Sequence, residues 1–356
     1  MLQSRLVTSF LFVICLLITQ AKGDFTLIAD IEYHTVAGID PNLLSLDVYI
    51  PDGADGSNPV MVMYHGGSWS SGDKAITGVV HPKMEYYTQR GWIFLSVNYR
   101  LTNTQLPAGH PDQVTHPTHV QDVARSIAWI VENISTYGGN PDRIVLVGFS
   151  AGAHLVSLVT TDESRLGVHG YSAHDIDGVV LLDGLYDIPL RYLWTPLPPQ
   201  EMLLVWGTDS AEQQDFSPAL HVGPRECTPS TLVVHQDHPV TIEQSNNYAN
   251  TLIANGYDAD IYNAVGMTHS QIGGNLGNIG HPLTILVDDF LADLGSNAGT
   301  CCQADFTGDG LLNFFDVSAF LNAFNSANPS ADFTNDDLFN FFDVSAFLAD
   351  FAAGCP

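Results

Sequence analysis

The chain has 356 residues, enough for one large domain and a small one. Hydrophobic residues make up 45% of it, which excludes disorder throughout. Eleven Lys and Arg stand against 39 Asp and Glu, a formal net charge of −28, so there is almost nothing from which to build a basic face for nucleic acid.

Residues 1–23 read as a signal peptide. Arg5 supplies a positive start, the apolar run Phe10–Ile18 follows, and Ala21 and Gly23 offer small residues for cleavage. Nine apolar residues are too few for a bilayer span, which needs about 20. The expected location is therefore secreted, periplasmic or at the cell surface. Export permits disulfides, and Cys227, Cys301, Cys302 and Cys355 remain after cleavage, in any of three pairings.

Residues 24–294 alternate short β-rich runs with helical patterns. Val60–Tyr64, Ile93–Asn98, Ile144–Gly148, Gly178–Leu182 and Thr231–His235 are brief, apolar and rich in β-branched residues. Runs of that kind fit strands buried on both faces of a parallel sheet. A helix is predicted from Val120 to Tyr137, with Val120, Val123, Ala124, Ile127, Ile130, Val131 and Ile134 on one face, ending at Gly138 and Gly139. A second runs from Glu243 to Asn255. The fold class implied is α/β, a doubly wound and mostly parallel sheet, joined to a small all-α calcium-loop domain.

Residues 295–303 form the linker to that second unit, which occupies 304–356. From Thr300 onward there is no Lys or Arg, and eleven of the 18 Phe fall there. Asp305–Leu321 reads DFTGDGLLNFFDVSAFL and Asp332–Leu348 reads DFTNDDLFNFFDVSAFL, a duplication at an offset of 27 residues. Each copy places oxygen-bearing groups at the spacing of a calcium loop. The first offers Asp305, Thr307, Asp309, the Leu311 carbonyl, Asn313 and Asp316. The second offers Asp332, Thr334, Asp336, the Leu338 carbonyl, Asn340 and Asp343, with Asp337 replacing the turn glycine. The following helices, carrying Phe315, Val317, Phe320 and Leu321 or Phe342, Val344, Phe347 and Leu348, are expected to pack face to face.

The chemistry centres on Gly148-Phe149-Ser150-Ala151-Gly152, placed between a strand and a helix. In that context the pattern is a nucleophile elbow, presenting the Ser150 hydroxyl at the sheet's C-terminal edge. His65-Gly66-Gly67-Ser68-Trp69 follows an earlier strand. The backbone amides of Gly66 and Gly67, with that of Ala151, would form an oxyanion hole, and Trp69 would line the substrate pocket. His269 is the expected base. Asp237, after the strand Thr231–His235, is the preferred acid, with Asp209 the rival and Asp183 and Asp187 following an earlier strand. No cofactor is expected for catalysis, only Ca²⁺ in the C-terminal unit.

The segments HGGSWSSGDK (65–74), SVNYRL (96–101), HPTHVQDVARSIAWI (116–130), YGGNPDRIVLVGFSAGAHL (137–155) and MTHSQI (267–272) resemble the α/β-hydrolase carboxylesterases with an HGGxW oxyanion motif, a group including feruloyl-esterase-like proteins, kynurenine formamidases and isoprenylcysteine methylesterases. The resemblance implies a serine carboxylic-ester hydrolase that works through an acyl-enzyme on small or carbohydrate-linked acyl esters. His235-Gln236-Asp237 lacks the glycine that the family often carries before its acid. An arylformamidase or other amidase would share the same motif. A non-catalytic adhesin would be expected to lose the serine or histidine. The duplicated tail resembles a type I dockerin, which implies attachment to a cohesin-like or cell-surface partner. Without such a partner it would be a calcium-stapled folding unit.

Overall fold

The computed structural model describes residues 25–194, 200–223, 228–294, 304–307, 311–334 and 338–354. The signal-peptide segment, the linker 295–303, Asp309, Asp336 and all four remaining cysteines lie outside the described residues.

The larger unit is built on one 8-stranded sheet. Its strands are β1 (Phe25–Glu32), β2 (Ser45–Pro51), β3 (Asn58–Tyr64), β4 (Ile93–Val97), β5 (Gly139–Phe149), β6 (Gly178–Leu182), β7 (Ser230–Gln236) and β8 (Ala259–Ala264). They lie in the order β1-β2-β4-β3-β5-β6-β7-β8, with β2 antiparallel to both β1 and β4 and the rest parallel. The helices are α1 (Thr77–Thr88), α2 (Thr118–Asn133), α3 (Ala151–Thr161), α4 (Ser164–Gly167), α5 (Ile188–Trp194), α6 (Gln200–Trp206), α7 (Ser210–Asp215), α8 (Pro239–Ala254), α9 (His269–Asn275) and α10 (Pro282–Leu294).

The strand side chains explain the layering. Along β3, Val60, Val62 and Tyr64 enter one core while Met61 and Met63 enter another. Successive side chains of a strand point to opposite faces, so a strand without polar positions must be covered on both sides. The first core is closed by α2, α3 and α8, through residues such as Val123, Leu155 and Leu252. The second is closed by α1, α9 and α10, through Met84, Ile272 and Val287. Full burial of each such side chain contributes roughly 1.5–3 kcal/mol.

All five strands expected from apolar runs are present, as β3 to β7. The antiparallel pair β1 and β2 was not legible, because β1 alternates half-buried and exposed positions and carries Asp30 and Glu32. The long helix ends earlier than its apolar pattern does. Beyond Asn133 the chain tightens into a 3₁₀ turn over Ile134–Tyr137, and Gly138 stops it in the left-handed region at φ 83°.

The C-terminal unit pairs α11 (Phe314–Asn325) with α12 (Phe341–Ala353). Asn313 and Asn340 cap them, each accepting from a backbone N–H two residues on. Face-to-face packing holds for Phe320 and Phe347, whose rings stack at 4.0 Å, and for Val317 and Val344, which pack against the same small core, while Leu321 and Leu348 are about half exposed. It does not hold for Phe315 and Phe342, which are each 68% exposed, nor for the adjacent Phe314 and Phe341. These positions fall in the first turn, on the side away from the partner helix. Asn328, just after α11, donates to the Gly170 carbonyl at 3.1 Å and ties this unit to the larger one. The cleft between them is lined by Pro141, Asp142, Tyr171, Phe306 and Asn328. It lies toward the start of β5, at the opposite end of that strand from Ser150.

Two histidines are sealed in the first core. The His154 ring donates to the Phe216 carbonyl and His119 meets the Thr102 hydroxyl. Burial depresses both imidazoles to about 3. Their folded values lie below the unfolded value near 6.5, so they bind fewer protons folded than unfolded between those limits. Stability from these neutral rings is fully present above about pH 6.5 and is lost as pH falls toward 3, at up to about 1.4 kcal/mol per pH unit for each ring. Thermal melts are expected to show the midpoint dropping through that window, and His154→Gln should flatten the slope; an unchanged slope would contradict the assignment.

Candidate active site

The end of β3 and the turn from β5 into α3 approach so closely that glycine is required between them. Ser150 sits at φ 55°, ψ −115° between β5 and α3. That is a left-handed, sparsely populated conformation costing about 1–3 kcal/mol. A Cβ on Gly148 would stand 2.5 Å from the Ala153 Cα, and one on Gly152 would stand 2.2 Å from the Tyr64 carbonyl oxygen. Both flanking glycines of the elbow are thus required by close backbone approach. The turn is fixed by the Ser150 N–H, which donates to the Leu182 carbonyl on β6 at 2.9 Å.

The glycine loop after β3 lies directly over this turn. A Cβ on Gly66 would come within 2.9 Å of the Ser150 Cβ. Gly67 is at φ 122°, where an added Cβ would lie 2.0 Å from the Ser71 carbonyl oxygen. Polar contacts hold the loop. The His65 ring stacks on Tyr99 at 4.5 Å, and the Tyr99 hydroxyl donates to the His65 carbonyl at 2.8 Å. Burial lowers the His65 imidazole pKa, which favours the neutral ring. Asn98 accepts from the Lys74 N–H and donates to Asp73 and to the Asn42 carbonyl. The Lys74 ammonium is bound by Asp47 at 2.7 Å and by Asp30. Arg100 next to Tyr99 pairs with Asp122 on α2. The segments 65–74, 96–101 and 116–130 are therefore one tethered scaffold beneath the loop.

His269 opens α9, after a capping box in which Thr268 and Gln271 exchange hydrogen bonds. Its ring lies 4.8 Å from that of Phe149, the residue before Ser150. Its Nδ1 meets Asp183 Oδ2 at 2.6 Å. Asp183 follows β6 immediately, at φ 52°, with its side chain fully buried while the His269 side chain is 41% exposed. The other Asp183 oxygen accepts from the Gln236 N–H at 3.0 Å, and the Asp183 N–H donates to the Val234 carbonyl at 2.7 Å. A carboxylate at Nδ1 holds the proton on that nitrogen and leaves Nε2 as the basic one.

Asp237 is not the acid that meets His269. It stands on the surface beyond β7, where among the described residues its carboxylate accepts only a long contact, 3.5 Å, from the Asn263 amide. The His269 Nδ1 position is already taken by Asp183, one strand closer to Ser150. Asp209 and Asp187 are also committed elsewhere, each accepting from backbone N–H groups at the start of α7 and α5. The one signal for Asp183 in the sequence is its place directly after a fully apolar strand, as Ser150 is placed after β5. Trp69 is also displaced from its expected role. It is 3% exposed and packs against His154, Trp206 and Phe216 within the first core rather than lining a pocket.

In the C-terminal unit the two loops are near copies in space as well as in sequence. Asp316 accepts from the Thr307 N–H and hydroxyl and from the Asn313 N–H, at 2.8–2.9 Å. Asp343 accepts equivalently from Thr334 and Asn340. Burial raises the Asp316 carboxyl, but these hydrogen bonds outweigh it and hold the group below the usual carboxylate range. The amides of Asn313 and Asn340 donate to the Leu311 and Leu338 carbonyls.

The sheet order and the strand–serine–helix turn define an α/β hydrolase. Within that class, the family designated BD-FAE matches residues 46–252. The chain belongs to that family. It is 34% identical over 209 residues to the probable carboxylic ester hydrolase LipM of Mycobacterium tuberculosis, covering 55% of this chain and 45% of that protein. It is 28% identical over 215 residues to kynurenine formamidase of Danio rerio, covering 59% and 65%. The chain thus spans about half the length of LipM. Among solved structures, a truncated carbohydrate esterase from gut microbiota superposes with a TM-score of 0.60 at 19% identity, over 77% of this chain and 98% of that one, a likeness of fold.

The two carboxylates separate cleanly by substitution. Asp183→Asn is expected to lower kcat on a short-chain nitrophenyl ester by about 10⁴, as loss of the orienting acid does in other triads. Asp237→Asn should leave kcat within roughly threefold of the parent enzyme, and the reverse ranking would return Asp237 to the site.

Proposed function

We propose that this chain is a secreted serine carboxylic-ester hydrolase acting through an acyl-enzyme, with a calcium-binding tail for attachment. The observation that carries the catalytic reading is the Asp183–His269 hydrogen bond, set beside the Phe149–Ser150 turn. The Ser150 hydroxyl attacks the acyl carbonyl and gives its proton to His269 Nε2. The negative oxygen is received by the amides of Gly66, Gly67 and Ala151, each such donor being worth about 10²–10³ in rate. His269 passes the proton to the departing alcohol, and water repeats the sequence on the acyl-enzyme. Asp183, not Asp237, orients the imidazole. The substrate class proposed is small or carbohydrate-linked acyl esters, the latter suggested by the dockerin-like tail. Amide hydrolysis by the same groups is the second reading, favoured by the similarity to a kynurenine formamidase.

For the tail, Ca²⁺ is supported by the chemistry of the donor set. Asp305 and Asp316 are both buried in a unit containing no Lys or Arg, and every candidate ligand is an oxygen. Asp305, Thr307, Asp316 and the Leu311 carbonyl would hold the first ion, with their counterparts Asp332, Thr334, Asp343 and the Leu338 carbonyl holding the second. Asn313 and Asn340 cap their helices and bond those carbonyls, so loading requires each amide to release its carbonyl. Attachment to a cohesin-like or surface partner is supported by the paired exposed rings Phe314–Phe315 and Phe341–Phe342. Export rests on the Arg5 and Phe10–Ile18 pattern, and among the described residues no helix is long and apolar enough to cross a membrane.

Ser150→Ala is expected to abolish ester turnover with an unchanged circular dichroism spectrum, and retained turnover would overturn the nucleophile assignment. Comparing kcat/KM on matched ester and anilide substrates separates the two readings, with the ester favoured. Removing calcium with a chelator should lower the melting temperature of the tail and leave ester turnover intact. A calorimetric trace indifferent to chelator would contradict the metal assignment.

A further inference from the structure

Lys83 is the one Lys or Arg of α1, and it is completely buried. Its ammonium donates to the Gly273 carbonyl on α9 at 2.5 Å and to the Val79 carbonyl in its own helix at 2.6 Å. No carboxylate pairs with it among the described residues, and burial alone pushes its pKa down to about 7. A chain with so few basic residues has placed one inside the core without a counter-ion, which is costly unless the amine is held by strong acceptors. The acceptor it has found is one of the last carbonyls of α9, which have no partner within that helix and lie at the negative end of its dipole.

The position of that helix bears directly on the site. His269 is its first residue. Gly273, one turn on, lies so close to Phe149 that a Cβ there would be 2.5 Å from the ring. The same Phe149 ring lies against His269 and precedes Ser150. On the other side Gly277, just past α9, allows backbone contact with α1, where an added Cβ would lie 2.3 Å from the Pro82 carbonyl oxygen. The short helix is thus held between Phe149 and α1, and the amine of Lys83 is the polar tie across that contact.

We propose that Lys83 is a positioning residue for His269, fixing α9 through the Gly273 carbonyl and so setting the imidazole against Ser150. The role presupposes the serine-hydrolase reading above. Lys83→Met in the full chain removes the tie and fills much of the same volume. Its kcat on a nitrophenyl ester is expected to fall about 10- to 100-fold, the scale of a misplacement near 1 Å. KM should stay within roughly twofold. The melting temperature at pH 7 should not fall, because a buried amine has been replaced by an apolar group. Lys83→Gln, which keeps an N–H donor, should fall between Met and the parent in kcat. A merely structural lysine would lower melting temperature and activity together, with Gln no better than Met, and that outcome overturns the proposal. An unchanged kcat in Lys83→Met overturns it as well. If Lys83→Met does not fold, Lys83→Gln decides alone: a reduced kcat at an unchanged melting temperature supports the role, and any other pattern contradicts it. Failure of the underlying reading is distinct, since the parent enzyme itself would then show no Ser150-dependent turnover.

Discussion

Everything at the site depends on how closely the end of β3, its glycine loop and the turn from β5 into α3 can approach. The end of β3 and the loop after it meet the turn between β5 and α3 at backbone contact, and Gly66, Gly148 and Gly152 are where a single added carbon would force these segments apart. With that approach allowed, Ser150 is driven into a left-handed conformation at the sheet edge, and the glycine loop closes over it. Strain of this kind persists only where its surroundings over-determine it. Here the surroundings are the Leu182 carbonyl below Ser150, the tethered 65–74 loop above it and the first turn of α3 behind it. The elbow and the glycine loop are consequences of one packing constraint rather than separate motifs.

The polar partners divide the labour by burial. Asp183 is fully enclosed and satisfied by the Gln236 N–H and the His269 ring, so it has little freedom to choose another partner. The His269 side chain remains 41% exposed. A buried acid behind a half-exposed imidazole is the arrangement that fixes a tautomer without blocking access. The tail makes contact near the start of β5, at Gly170 and around Pro141, so that its attachment leaves the serine edge uncovered.

What the sequence could disclose follows from which physical signals are local. The strands β3 to β7 were legible because each carries an unbroken apolar run, and the elbow because its glycines sit in fixed register with a strand and a helix. The acid was not. Asp183 and Asp237 each follow a buried strand, and which one reaches His269 depends on where the loop 265–268 delivers α9, a tertiary matter that residue spacing does not encode. Trp69 was misplaced for a related reason. Adjacency to a functional loop says nothing of direction, and backbone turns at Ser68 and Trp69, both at positive φ, send its ring inward to His154 and Phe216. The phenylalanines of the tail exposed the limit of periodicity. Phe320 and Phe324 of one helix, Phe347 and Phe351 of the other, and Phe306, Phe333 and Phe339 from the loops fill the small shared core, and the pairs at 314–315 and 341–342 are left outside.

The central claim is that Ser150, His269 and Asp183 act as one unit. Treating the full chain with an alkyl fluorophosphonate and mapping the adduct by peptide mass spectrometry tests it most directly. The account predicts a single phosphonylated residue, Ser150, formed rapidly in the parent protein and at a rate reduced by orders of magnitude when Asp183 is replaced by Asn. An adduct on another residue, or labelling of Ser150 that is indifferent to Asp183, would contradict it.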